Sequence, residues 1–149
     1  MSPNVSMSVD IQNVRLNRHQ ATILIDLAKS KGTLREKKIY FNSECKCQTQ
    51  IPKKFKGLGF KFEDVPSSLK NSADDRLKAN LLDGLEYPPN VVILVSGDGD
   101  FTPSVRALQK QGIKVIVVAT RGNVKQDLKA IADEFHFIDD LKLPANSTT

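Results

Sequence analysis

The stretch Val91-Val-Ile-Leu-Val95-Ser96-Gly97-Asp98-Gly99-Asp100-Phe101-Thr102-Pro103 decides the fold. Its opening run of aliphatic, mostly β-branched residues reads as a strand buried on both faces, as in a parallel sheet. A glycine-rich acidic loop follows at once. Thr102 and Pro103 then read as the N-cap and first residue of a helix that ends at Gly112. Going forward, 114–119 is a second buried strand, 124–135 a helix and 136–138 a short edge strand. Going backward, 72–85 is a helix with Leu77, Leu81 and Leu85 on one stripe.

The first half follows the same alternation. Val5, Met7, Val9 and Ile11 alternate with polar residues as in a strand, and 21–28 is an amphipathic helix core stopped by Gly32. Strands are expected at 38–41 and 60–65, with a short basic helix at 52–58 between them. Alternating strands and helices predict an α/β fold: a doubly wound, mostly parallel sheet in a Rossmann-like three-layer sandwich. Residues 1–143 form one domain in this reading, and 144–149 a loose tail.

Composition narrows the class. The 149 residues are 40% hydrophobic and 26% charged, which fits a single soluble domain. No apolar run approaches the roughly 20 residues that cross a bilayer, so no membrane role is expected. The start of the chain lacks the basic and apolar segments of a secretory signal, and a cytoplasmic location is expected. Cys45 and Cys47 have one residue between them. That spacing makes a mutual disulfide awkward, and without a second Cys or His pair nearby a structural zinc is disfavoured.

Net charge is +5, and it is concentrated. From Lys29 to Lys61 the basic residues, among them Lys53, Lys54 and Lys56, are opposed only by Glu36 and Glu44. Such a block attracts a polyanion, although a merely solvated surface has the same composition.

In open parallel sheets, ligands bind beyond the carboxyl ends of the strands. Asp10 lies there after the first strand, with Asn13 just beyond it. Asp98 and Asp100 lie there after 91–95. Crowded carboxylates repel one another unless a cation compensates them, and hard oxygen ligands suit Mg²⁺ or Mn²⁺. Asp74, at the head of the stripe through Leu77 and Leu81, is a fourth candidate, and it also fits a helix-dipole acid. Ser72 and Asp75 match a capping box. Asp98 and Asp100 also fit turn residues, though two acids around one glycine exceed what a turn needs. Ser96 can serve a phosphate, a water or the loop backbone.

These residues carry a family resemblance. Asp10-Ile-Gln-Asn13 on a first strand, Lys70-Asn-Ser-Ala-Asp74 opening a helix, and Ser96-Gly-Asp98-Gly-Asp100-Phe101 after a strand resemble the NYN domain. That family belongs to the PIN-like nucleases and includes the LabA-like proteins. The resemblance spans about Ser6 to Leu141, and the third motif is the most specific. It implies a PIN-like sandwich, a Mg²⁺- or Mn²⁺-dependent ribonuclease site, and RNA, single-stranded or structured, as partner. Carried over by position, Asp10, Asp74, Asp98 and Asp100 are the metal-binding and catalytic acids, with Asn13 and Ser96 in support. Many relatives carry a further Asp six residues after the helix acid, where this chain has Asn80.

On this reading a metal-activated water hydrolyses the phosphodiester, while Lys70 and Arg121 hold flanking phosphates or remain ordinary surface charges. Lys53, Lys54 and Lys56 extend the RNA contact, and a homodimer stays open. The rival from another class is a non-catalytic RNA-binding or adaptor module with a relict site. A haloacid-dehalogenase-like phosphohydrolase would need Asp-x-Asp on the first strand, and here Gln12 occupies the second position.

Overall fold

The computed structural model describes residues 2–65 and 89–142. The expected helix at 72–85, with Lys70 and Asp74, and the tail at 144–149 lie outside the described residues.

Six strands form one sheet: β1 (Asn4–Asp10), β2 (Thr33–Phe41), β3 (Lys61–Asp64), β4 (Val91–Val95), β5 (Lys114–Ala119) and β6 (Glu134–Phe137). Their order is β3-β2-β1-β4-β5-β6, and every pairing is parallel. Four helices are described: α1 (Arg18–Lys31), α2 (Ile51–Lys54), α3 (Thr102–Lys110) and α4 (Gln126–Ile131). The α/β doubly wound expectation holds.

Side-chain alternation assigns the two faces. Val5, Met7, Val9, Ile39, Ile93, Val95, Ile116 and Val118 share one core cluster with Ala21, Leu24, Ile25 and Ala28 of α1 and with Ile51 of α2. Val92, Leu94, Val115 and Val117 form the other with Val105 and Leu108 of α3 and Leu128 of α4. Each fully buried Val, Ile or Leu stabilises the fold by about 1.5–3 kcal/mol relative to exposure. The polar half of β1, Ser6, Ser8 and Asp10, is also buried, so its alternation reflects a polar interior stripe rather than a solvent face.

Several boundaries differ from expectation. α1 starts at Arg18 because Asn17 and Gln20 form a reciprocal capping box. β2 begins at Thr33, five residues early, since pairing with β1 holds its polar first half extended. The basic helix shortens to Ile51–Lys54. Helix 124–135 contracts to Gln126–Ile131, and Asp133 then enters the sheet: its N–H donates to the Val115 carbonyl at 2.9 Å and its carboxylate accepts from the Val115 N–H at 2.8 Å. Thr102 is not the cap. It is the first residue of α3, which continues directly from a 3-10 turn at Gly99–Phe101.

The cysteine expectation is also corrected. Cys45 and Cys47 are disulfide-bonded, because the chain curls into a 3-10 turn at Lys46–Gln48 that brings their Cα atoms to 5.3 Å.

Candidate active site

The chain leaves β1 toward α1 on one face and leaves β4 toward α3 on the other. Their carboxyl ends therefore diverge, and a crevice opens between the two loops at the point where the strand order reverses. Asp10 closes β1 at its edge, only 3% exposed, and Ser96 follows β4 with no exposure at all.

A chain of hydrogen bonds spans this crevice. The Ser96 hydroxyl donates to Asp10 Oδ2 at 3.2 Å, and Ser96 Oγ accepts from the Asp98 N–H at 3.2 Å. Asp98 Oδ1 in turn accepts from the Asp100 N–H at 2.9 Å, capping the 3-10 turn. Asn13 adds a second tie: its Oδ1 accepts from the Gly97 N–H at 2.6 Å, while its carbonyl accepts from Asn123 Nδ2 at 3.1 Å. The Gly97 carbonyl accepts from the Lys125 N–H at 3.0 Å. Three loops, after β1, β4 and β5, are thus locked together. Gly97 is required by that closeness, since a Cβ there would collide with the Asn123 carbonyl oxygen and Val124 Cα.

Burial pushes the Asp10 carboxyl up to about 6 and the nearby Asp98 charge adds to the rise, against the opposing Ser96, Asn13 and Gln12 hydrogen bonds. No cation pairs with Asp10 among the described residues. Also within the described residues, the buried Thr102 hydroxyl lacks a hydrogen-bond partner, two positions beyond Asp100. The donor set is entirely hard oxygen, as Mg²⁺ and Mn²⁺ prefer. Among the described residues, no three Asp, Glu, His or Cys side chains form a group able to hold a metal. The described carboxylates therefore offer hard-oxygen donors but do not by themselves form a metal-holding group.

The model of the NYN domain family matches residues 4–139. The chain belongs to the NYN domain family. No curated protein matches it in sequence. A crystal structure of a Vibrio parahaemolyticus protein of unknown function is similar at 27% identity, covering 93% of this chain and 94% of that one with a TM-score of 0.74. NYN domains are grouped with the PIN-like nucleases, and the all-parallel six-stranded sheet has the form of a PIN-like sandwich.

Among the described residues, the other expected ones, Asp100, Arg121, Lys53, Lys54 and Lys56, are exposed. Asp100 is exposed and reaches the crevice through its backbone N–H. Arg121 pairs with Asp140 at 2.6 Å and lies 4.2 Å from the Phe137 ring centre, so its guanidinium is already engaged. Lys53, Lys54 and Lys56 are exposed at and just after α2. Arg18 holds that segment, donating to the carbonyls of Lys54 at 3.2 Å and Lys56 at 2.7 Å.

Sequence reasoning missed three participants. Asn123 and Lys125 buttress the acidic loop, and the Lys125 stem packs where a Gly99 Cβ would lie, 2.8 Å from its Cγ. Arg18 positions the basic segment. Asn123 and Lys125 follow β5 at the same rim as the acids, and scanning every loop at that rim would have flagged them.

Proposed function

We propose that this NYN domain is a metal-dependent ribonuclease that hydrolyses RNA phosphodiester bonds at the crevice between β1 and β4. The observation that carries the reading is Asp10: a buried carboxylate at the topological switch point, beside Asp98, with no cationic partner among the described residues. A fold tolerates such a group where a bound cation uses it. Asp10 and Asp98 are the residues proposed to hold Mg²⁺ or Mn²⁺, with Asp74 and Asp100 completing the acidic set. When bound, the ion supplies positive charge for the phosphate transition state and lowers the pKa of an attacking water.

The chain's own contributions follow from the geometry. Ser96 orients the Asp10 carboxylate, and Asn13 holds the Gly97 N–H that shapes the loop carrying Asp98. Attack by water would leave a 5′-phosphate and a 3′-hydroxyl. The basic segment Lys53, Lys54 and Lys56 supplies countercharge for the polyanion, with Lys70 as a further candidate.

Purified protein incubated with labelled single-stranded RNA and Mn²⁺ tests the reading. Asp98→Asn is expected to lower cleavage by roughly two orders of magnitude, as loss of several kcal/mol of charge stabilisation would. Equal cleavage by wild type and variant would assign the activity to a contaminant or to another site. A second reading, an RNA-binding module with a relict site, draws on the use of Asp98 as a turn cap. A melting temperature unmoved by Mn²⁺ would favour it.

A further inference from the structure

A cavity of about 150 Å³ is lined by the turn that follows Asp10 in the chain and by the segment between β2 and β3. Ile11, Leu16 and Ile51 line it and are 4%, 2% and 7% exposed, so they form the apolar part of a floor that Cys47 and the buried Gln48 amide complete. Gln12, Arg15 and Lys54 also line it and are exposed, so they form the rim. No carboxylate is present in the described lining. Three segments build the cavity: the turn after β1, the disulfide-bonded loop after β2, and α2, which Arg18 ties to the start of α1.

Size, polarity and charge together select an occupant. A cavity of about 150 Å³ is known to hold one benzene ring. This one therefore has room for a single six-membered ring, the closer match of the two base sizes. Flat faces against the aliphatic part of the floor, an edge facing an amide that both donates and accepts, and flanking cations describe a nucleobase held between phosphates. A duplex keeps its bases stacked inside and offers none to such a cavity.

We propose that this cavity receives one unpaired pyrimidine of a single-stranded RNA, placing the adjoining phosphate at the Asp10 crevice. The inference rests on the ribonuclease reading and names the substrate class of that site. Gln12 meets the base edge, and Arg15 and Lys54 offset the charge of the phosphates on either side. Because Gln12 lies two residues after Asp10, occupying the cavity fixes which phosphate meets the acids.

Binding measured by fluorescence anisotropy in EDTA, where no cleavage occurs, tests it on the full chain. The probes are labelled oligouridine, oligoadenosine and a base-free ribose-phosphate chain of equal length. Oligouridine is expected to bind about tenfold more tightly than the base-free chain, within the range that one recognised base contributes. It should also bind several-fold more tightly than oligoadenosine. Gln12→Trp, an exposed position whose new side chain fills the cavity, should reduce oligouridine to the affinity of the base-free chain. Arg15→Ala should weaken oligouridine and the base-free chain by a common factor.

Equal affinity for oligouridine and the base-free chain would overturn the base site, as would no binding of either. Equal affinity for oligouridine and oligoadenosine would overturn its pyrimidine selectivity. Cleavage in Mn²⁺ is scored separately: an active enzyme without base preference refutes the cavity alone. Base-dependent binding without cleavage refutes the nuclease and keeps the cavity as a binding site.

Discussion

Two carboxylates at opposite ends of the sheet experience opposite forces. At the carboxyl ends, Asp10 is 3% exposed, has no cationic partner among the described residues, and is pushed up to about 6 by burial. At the amino ends, Glu134 begins β6 between Lys31 of α1 at 2.8 Å and His136 at 2.7 Å. Burial opposes its ionisation too, but those two partners outweigh burial and hold it down at about 2. One end spends charge on holding an edge strand to a helix. The other leaves a carboxylate uncompensated, which costs stability in the metal-free fold and suits a site awaiting a cation.

The largest expected effect tests whether Asp10 is the uncompensated member. A raised carboxyl pKa means that the folded state holds the proton more tightly. The contribution of Asp10 to stability is therefore greatest below its ordinary value of 3.8 and is lost as pH rises through about 6. A metal must displace that proton, so Mn²⁺ affinity, read from the shift in melting temperature, should fall about tenfold from pH 7 to pH 5. Asp10→Asn should bind Mn²⁺ weakly and lose this dependence. Wild-type affinity that stays flat across the window would remove Asp10 from the metal site.

The two ends also differ in how legible they were. The position of the candidate-site residues was readable because they follow strands directly: Val91–Val95 announces a buried strand, and Ser96 to Asp100 must then sit at the rim. Asp10 and Asn13 were readable for the same reason. The amino end was opaque. Lys31, Lys114 and Glu134 are distant in sequence and meet only because α1 and the parallel strands β5 and β6 return their ends to one place. The misplaced boundary near Ala132 has a related cause. Leu128, Ile131 and Phe135 keep a helical apolar spacing, yet the exchange between Asp133 and the Val115 backbone draws the chain into the sheet. The Cys45–Cys47 bond depends on a local curl that spacing alone does not reveal.

A smaller effect probes the amino end. Glu134→Gln should destabilise the protein at pH 7 by about 1–2 kcal/mol, a figure reduced for the partial exposure of the group. The sign follows from a depressed pKa. The contribution is complete above the ordinary value of 4.5 and is lost as pH falls toward about 2. Denaturant melts of wild type and variant should therefore converge between pH 5 and pH 2. RNA cleavage should stay unchanged, because Glu134 lies at the opposite end of the sheet. A variant that loses cleavage while keeping its stability would break the division between the two ends.

The smallest effect separates contact from mere proximity within the Glu134 cluster. Lys31 and Lys114 both approach Oε1, but Lys31 does so at 2.8 Å with its side chain 27% exposed, and Lys114 at 3.6 Å with 46% exposed. The shorter pair is hydrogen-bonded and better shielded, so its attraction is less screened. Lys31→Ala should cost about 1 kcal/mol, and Lys114→Ala should stay within about 0.5 kcal/mol of wild type in the same melts. Lys31 also joins α1 to the edge strand, so its loss should accelerate amide exchange in β6, whereas loss of Lys114 should not. Equal costs for the two lysines would mean that general charge, rather than the Lys31–Glu134 hydrogen bond, holds β6 in place. Glu134 would then resemble Asp10 more closely than their opposite shifts imply.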